Sequence, residues 1–246
     1  MSRLACDKKV IVVLPAYNAA KTLKKTLDDL PMDWVDDIIL VDDASRDNTV
    51  ELARSFGLKT FVHEKNGGYG ANQKTCYKQA LAEGADIVIM VHPDHQYDPK
   101  SIPELIKKFF EEETDAVFGS RMMISRNALV GGMPYWKFTA NIFLTFIENK
   151  VLNMHLTEYH SGFRAYNKKT LETIFFDRNS DDFVFDTEII VQMKLADLKI
   201  KEIPILTRYF PEASMISFRR SITYGLNILV VMSRYLLHEI GIKKFN

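Results

Sequence analysis

An α/β fold built on a mainly parallel sheet flanked by helices is predicted by three features of the sequence. Short apolar runs rich in β-branched residues recur through the first half of the chain. A stretch of helical periodicity follows nearly every run, and polar residues collect just after the runs. Strands that are apolar along their whole length are those buried on both faces of a parallel sheet.

The elements follow in order. VIVVL (10–14) reads as a buried strand, with a helix over 20–30. IILV (38–41) is a second strand, and the helix after it ends near Gly57, a residue type that closes helices in the left-handed conformation. TFVH (60–63) is a third strand. A glycine-rich loop then leads into a helix over 71–83, with Gly84 at its end. DIVIMV (86–91) is a fourth strand, followed by a helix over 102–112, and DAVFG (115–119) is a fifth. The second half is less regular. It offers an aromatic-rich helix over 136–152, a turn entering a short strand in SGFRAY (161–166), a helix over 185–196 and a terminal helix over 219–240. Pro204 marks the strand IKEIPIL (200–206) as an edge. Without repeats, low-complexity segments or linkers, residues 1–246 read as one domain, a core of about 8–215 with a C-terminal helical extension over 216–246.

Composition narrows the function classes. The chain is 47% hydrophobic and 26% charged, as in an ordinary soluble protein. Lys plus Arg equals Asp plus Glu at 32 each, so the global basic bias of a nucleic-acid partner is absent. Cys6 and Cys76 make neither a disulfide framework nor a zinc cluster, and Cys76 sits in a helical pattern that suits buried packing. MSRLACDKK lacks the apolar core of a signal peptide, which gives a cytoplasmic expectation. The apolar stretch 222–242 is interrupted by Asn227, Arg234, His238 and Glu239 and is not a clean membrane span. Its basic flanks, Arg219, Arg220, Lys243 and Lys244, and the aromatic helix over 135–152 suit interfacial helices and peripheral membrane contact. Packing on the core, or a homo-oligomer interface, is the competing expectation for both helices.

Ligands of open parallel sheets bind beyond the carboxyl ends of the strands. The five runs are followed by Pro15-Ala16-Tyr17-Asn18, by Asp42-Asp43-Ala44-Ser45-Arg46-Asp47, by Asn66-Gly67-Gly68-Tyr69-Gly70, by His92-Pro93-Asp94-His95-Gln96 and by Ser120-Arg121. Polar residues at every one of these ends point to a site. No GxGxxG opens the first helix and no GxxxxGK[ST] is present, which removes the dinucleotide and P-loop readings.

The ordered set PAYN, VDDASRDNT, NGGYGANQ, HPDHQ, GSR and SGFRAY resembles family-two glycosyltransferases, in particular the dolichyl- and polyprenyl-phosphate sugar transferase branch, over roughly residues 8–215. The resemblance implies a GT-A fold, a nucleotide diphosphate sugar donor (UDP before GDP), inversion, and a divalent cofactor, Mn²⁺ or Mg²⁺. It implies nucleotide contacts for Pro15, Tyr17, Asn18, Asp42, Asp43, Asn66, Gly70 and His92. Asp42 and Asp43 have an Asx-turn or helix cap as their alternative reading. The His92-Pro93-Asp94 block stands where the family has its Asp-x-Asp metal motif, which makes Asp94, Gln96 and His92 the metal residues. His92 replaces the first carboxylate, and imidazole suits Mn²⁺ better than Mg²⁺. His92 contacting phosphate without ligating, or a zinc site from His92, Asp94 and His95, are the alternatives. Catalytic roles fall to Asp94, Arg121, Asp186 and Glu188. Asp186 and Glu188 are two apart on a helix and do not share a face, so one of them packs or caps. Lys137, Ser161, Gly162 and Arg208 are implied on the acceptor or phosphate side. Glu158 stands where the family commonly has Asp, and Arg164 reads as structural.

The acceptor expectation is a polyprenyl phosphate. A sugar hydroxyl needs a positioned base, and no Glu-Asp pair precedes a helix here except the offset Phe185-Asp186-Thr187-Glu188. A phosphate monoester is already anionic, with a second pKa of about 6, and needs cations instead; Arg121, Lys137 and Arg208 are the candidates. A hydroxyl acceptor served by Asp186, Glu188 or Glu158, and a non-catalytic nucleotide-sugar-binding protein, are the other readings. A sugar-phosphate nucleotidyltransferase would carry a glycine-rich loop where PAYN stands.

Overall fold

The structure is a computed structural model that describes residues 7–209 and 218–245. Cys6, with the rest of the first six residues, and the expected core-extension boundary at 215–216 lie outside the described residues.

Seven strands form one sheet in the order β3-β2-β1-β4-β6-β5-β7. They are β1 (Val10–Ala16), β2 (Asp37–Asp42), β3 (Lys59–Val62), β4 (Ile87–Met90), β5 (Ala116–Ser120), β6 (Arg164–Asn167) and β7 (Ile200–Pro204). All pairings are parallel except those of β6, which runs antiparallel between β4 and β5. The largely parallel sheet predicted from the sequence therefore holds, with one reversed strand. β7, as Pro204 indicated, is an edge.

The apolar runs bury both faces because successive side chains alternate across a sheet. Ile11, Val13, Ile39, Val41, Val88 and Met90 enter one core layer. Val10, Val12, Leu14, Leu40, Ile87 and Ile89 enter the other. The helices α1 (Leu23–Asp28), α2 (Thr49–Ser55) and α4 (Ile102–Glu111) send Leu23, Ala53 and Leu105 into the second layer. α3 (Tyr69–Ala82), α6 (Tyr135–Leu152), α8 (Phe185–Leu195) and α9 (Phe218–Glu239) send Tyr77, Leu152, Ile189 and Ile228 into the first. The short helices α5 (Ser125–Val130) and α7 (Lys168–Thr173) were not read from the sequence. Gly57 and Gly84 follow their helices with φ of +73° and +78°, as expected of helix-closing glycines.

Two helix starts differ from expectation. α1 begins three residues late because Ala19 to Thr22 form a turn that Thr49 Oγ1 holds by accepting the Ala19 N–H at 2.8 Å. α3 begins two residues early, straight after Gly68 at φ +100°. Cys76 is buried, as its helical context indicated.

The α6 and α9 pair is amphipathic in an unusual sense. One side of each is packed, yet Ile142, Phe143 and Phe146 of α6 and Ile222, Leu226 and Val230 of α9 are exposed. No helix among the described residues is long and apolar enough to cross a membrane.

Candidate active site

A pocket opens beyond the carboxyl ends of β4 and β5, under α6 and the start of α9. The β4 end supplies His92, Asp94, Gln96 and Tyr97. The β5 end supplies Arg121, α6 gives Trp136, Lys137 and Asn141, and α8 gives Asp186. Of the residues singled out from the sequence, His92, Asp94, Gln96, Arg121, Lys137, Gly162 and Asp186 line it.

His92 is wedged, not free to swing. Its ring stacks on Tyr69 with centroids 5.5 Å apart, and a Cβ at Gly162 would lie 2.7 Å from Nε2, so only glycine fits there. Burial drops its pKa to about 4, with Arg164 pushing the same way. At neutral pH it is an uncharged imidazole whose Nε2 edge is covered. His95 turns away from the pocket at φ +57° and meets Asp29 (2.9 Å) and Arg208 (3.0 Å) through Nε2. A zinc site from His92, Asp94 and His95 is thereby excluded, and no cluster of three or more His, Cys, Asp or Glu ligands exists among the described residues. Asp94 and Gln96 are hard oxygen donors. Two such donors suit Mg²⁺ or Mn²⁺, which complete their shells with water and substrate phosphate oxygens.

Arg121 is buried and anchored. Nε donates to Glu158 Oε1 at 2.8 Å, the backbone N–H to Oε2 at 2.7 Å, and the guanidinium also pairs with Glu158, with Tyr209 (3.0 Å) and with the His160 carbonyl (3.0 Å). Glu158 also accepts Asn141 Nδ2 at 2.8 Å. Burial alone would raise its pKa, but Arg121 and these donors hold it below the usual range. Such a carboxylate is no general base. Lys137 is half-buried, and its pKa is lowered by burial and then by Arg121, so two cations crowd one wall.

Asp186 accepts Tyr69 Oη at 2.8 Å and Gln73 Nε2 at 3.4 Å, and lies 3.6 Å from Arg164; burial still raises its pKa. Its helix neighbour Glu188 does not line the pocket. It is turned to Arg234 (2.9 Å) and the Ser180 N–H (2.5 Å), which corrects the expectation of a role at the site. Arg164 is structural as read, buried and donating to the carbonyls of Ser161, Tyr159 and Asp186.

Two acceptor-side residues are also placed elsewhere. Arg208 lies outside the pocket because Asp98 (3.2 Å), Asp29 (3.6 Å) and His95 hold it at the surface. Ser161 lies under the wall, its carbonyl occupied by Arg164 and its Oγ by the Phe163 N–H.

The nucleotide-side residues form a second group at the ends of β1 and β2. Asn18 sits in a turn at φ +53°, its Oδ1 accepting the Arg46 N–H, and Tyr17 is exposed beside it. Pro15 is buried within β1. Asp43 is consumed by its own loop: Gly67 and Gly68 donate to it at 2.8 and 3.0 Å, and His63 Nδ1 lies 2.8 Å away. Asp43 therefore clamps the glycine loop instead of offering free oxygens to a base or ribose. Asp42 gives one oxygen to the Ser45 N–H, while its buried Oδ1 has no protein partner. Asn66 donates to the Asp43 carbonyl, and Gly70 packs so tightly on Ser180 that a Cβ would lie 2.3 Å from its carbonyl.

Several pocket residues had no sequence signal as site residues. Tyr69 was visible only as part of the glycine loop. His160 and Tyr224 line the pocket because α9 folds back over it. His160 is also neutral, burial taking its pKa to about 3. Both histidines have folded-state pKa values lowered well below the 6.5 of the unfolded chain, so the unfolded state binds more protons below that pH. Stability is thus expected to fall as pH drops from about 6.5 towards 4, by about 1.4 kcal/mol per pH unit for each histidine once well below its unfolded pKa. Denaturant melts between pH 7 and 4.5 check this; His160→Gln should flatten the slope, and an unchanged slope would show that His160 is not a buried neutral group.

The family profile described as "Glycosyl transferase family 2" matches residues 11–175. An uncharacterized protein of Methanocaldococcus jannaschii is 35% identical over 82% of this chain and 82% of its own length. The UDP-N-acetylglucosamine--dolichyl-phosphate N-acetylglucosaminyltransferase of Methanococcus voltae is 28% identical over 96% of this chain and 98% of its own. Among solved structures, glucosyl-3-phosphoglycerate synthase from Mycobacterium tuberculosis, in complex with Mn²⁺, UDP-glucose and phosphoglyceric acid, superposes with a TM-score of 0.70 at 16% identity. That match covers 96% of this chain and 81% of the other. The same synthase is also known with Mg²⁺ and UDP. At that identity the likeness speaks for a shared fold, which is the GT-A architecture.

Proposed function

The chain belongs to glycosyl transferase family 2 and is a glycosyltransferase, and from that premise we propose that it inverts a sugar from a UDP-sugar onto the phosphate of a polyprenyl phosphate at a membrane surface. The observation that carries the acceptor is the pocket wall. Arg121 and Lys137 set two cations beside an aromatic lining of Trp136, Tyr97 and Phe183. α6 and α9, which both contribute to the pocket lining, also carry exposed apolar side chains. An anionic head on an apolar chain matches both surfaces. The likeness to an enzyme named for a UDP-sugar and dolichyl phosphate supports the same reading.

Chemically, an acceptor phosphate oxygen bonds to the anomeric carbon as the bond from that carbon to the β-phosphate oxygen breaks, and UDP departs. The attacking phosphate is already ionised, so no proton has to leave it. Arg121 and Lys137 bind and orient this anion, the first as a rigid fork fixed by Glu158. Asp94 and Gln96 would hold the divalent ion, which when bound neutralises charge on the departing diphosphate. Asp186, fixed by Tyr69 and Arg164, positions the sugar. Asp42 is fully buried and accepts the Ser45 N–H, so it supports the loop beside Tyr17 and Asn18 on the nucleotide side. The whole chain acts as one catalytic unit in this reading.

The test supplies purified protein with Mn²⁺ and UDP-N-acetylglucosamine, UDP-glucose or a GDP-sugar. Acceptors are a polyprenyl phosphate in anionic liposomes and a panel of soluble sugars and phosphoglyceric acid. A lipid-linked product, with the protein sedimenting with the vesicles, is the expected result. Transfer to a soluble hydroxyl with no lipid product would overturn the acceptor.

A further inference from the structure

We infer that the hydroxyls of Tyr97 and Tyr209 donate hydrogen bonds to the anionic group held by Arg121 and Lys137, and that two N–H donors of the protein force them into that role. The inference rests on the phosphate-acceptor reading for the identity of the anion, but not for the direction of the two hydroxyls.

A tyrosine hydroxyl has one hydrogen to give, and an N–H of backbone or guanidinium can only donate. The Gly162 N–H donates to Tyr97 Oη at 3.0 Å, and Arg121 Nη1 donates to Tyr209 Oη at 3.0 Å. Each oxygen is thus an acceptor inside the protein, and each hydrogen must point elsewhere. Among the described residues none accepts either hydrogen. Tyr97 and Tyr209 line the pocket, as do Gly162 and Arg121 at their hydroxyl ends. A ligand oxygen in the pocket completes both bonds.

Arg121 has little left to offer by itself. A guanidinium carries five N–H hydrogens. The one on Nε and one on Nη2 go to Glu158, the other on Nη2 goes to the His160 carbonyl, and one on Nη1 goes to Tyr209. A single Nη1 hydrogen remains for a ligand, fewer than the pair that arginine commonly gives a phosphate. Tyr209 takes one hydrogen bond from the cation and passes its own hydrogen on. Accepting from a cation polarises the hydroxyl and strengthens it as a donor.

Both rings are held in place within the protein. Tyr97 is buried and stacks on Phe163, with centroids 6.0 Å apart and planes 15° apart. It also forms an antiparallel bridge with Thr207, and the Tyr209 N–H donates to the Gly131 carbonyl at 2.9 Å. Donors fixed in this way meet an anion without the cost of reorienting. Arg121, Lys137 and the two hydroxyls present only hydrogens. That suits an ionised phosphate oxygen and gives the hydrogen of a sugar hydroxyl no partner among them.

The test compares binding of inorganic phosphate and of citronellyl phosphate by calorimetry, with UDP and Mg²⁺ present, in the native protein, Tyr97→Phe and Tyr209→Phe. A denaturant melt checks that each variant is folded. Each variant is expected to bind both phosphates about tenfold or more weakly, the scale of one hydrogen bond to a charged group. UDP with Mg²⁺ is expected to bind each variant as it binds the native protein. Tyr209→Phe is the sharper case. If its hydroxyl only anchored Arg121, removing it would release a second Nη1 hydrogen to the ligand, and phosphate binding would hold or tighten. Unchanged or tighter phosphate binding in either folded variant overturns the inference. An equal loss of UDP affinity would place the hydroxyls on the donor diphosphate and overturns it as well. If the native protein binds inorganic phosphate but not the prenyl phosphate, the lipid reading fails while inorganic phosphate still decides the hydroxyls. If it binds neither, both fall.

Discussion

Asp94→Asn is expected to lower turnover by about a hundredfold to a thousandfold, the scale at which removal of a single charge-stabilising group acts in enzymes. Asp94 is the carboxylate that the β4 end presents to the pocket, with Gln96 beside it. His92 cannot replace it: its ring is half-buried, stacked on Tyr69 and pressed against Gly162. The substitution preserves shape, since an asparagine oxygen can accept the Gln96 N–H that Asp94 accepts at 3.0 Å. Loss of turnover should therefore come without loss of stability, and donor affinity should lose its dependence on Mn²⁺. The measurement is kcat and a denaturant melt on the same preparation, with and without EDTA. Near-native turnover that still responds to EDTA would move the ion to other residues.

The strand runs were legible because burial on both faces leaves an unbroken apolar signal, and each of β1 to β5 lies within about two residues of its predicted span. β6 was legible as a short strand but not as a reversed one. Its partners β4 and β5 are set by a long excursion through α6, which no local pattern encodes. The site shows the same division. Strand-end loops pointed to His92, Asp94, Gln96 and Arg121 because topology places loops of that kind together. Helical spacing said that Asp186 and Glu188 could not both face one way. Which of them faces the pocket was decided by Arg164 from β6 and Arg234 from α9, partners distant in sequence. Asp43 and Arg208 illustrate the converse. Their residue types suit ligands, yet the glycine-loop amides and the Asp29, His95 and Asp98 cluster claim them first. Tyr224 stayed hidden because a terminal helix, apolar on more than one side, does not reveal what it covers.

Glu158→Ala is expected to destabilise the fold by about 3–5 kcal/mol, the cost of stranding a buried charge. Arg121 is buried and its Nε, one terminal nitrogen and its backbone N–H all donate to Glu158. Neither Tyr209 nor the His160 carbonyl carries a charge that could offset the guanidinium. A loss of that size is a large share of a typical domain stability of about 5–15 kcal/mol. The pair itself is a different matter from its breakage, because a well-packed apolar pair can match a buried ion pair. Arg121→Met combined with Glu158→Leu should accordingly be more stable than Glu158→Ala alone, although it removes both charges. It should be catalytically poor all the same, since Arg121 is then missing from the pocket wall. That split separates the two duties of the network. Stability follows whether Arg121 is paired, and acceptor binding follows whether Arg121 is present. Denaturant midpoints at constant m-value give the first, and KM for the acceptor gives the second. A cost below about 1 kcal/mol for Glu158→Ala, the range of exposed ion pairs, would show that Arg121 finds solvent or another partner and is not the fixed fork that the acceptor reading requires.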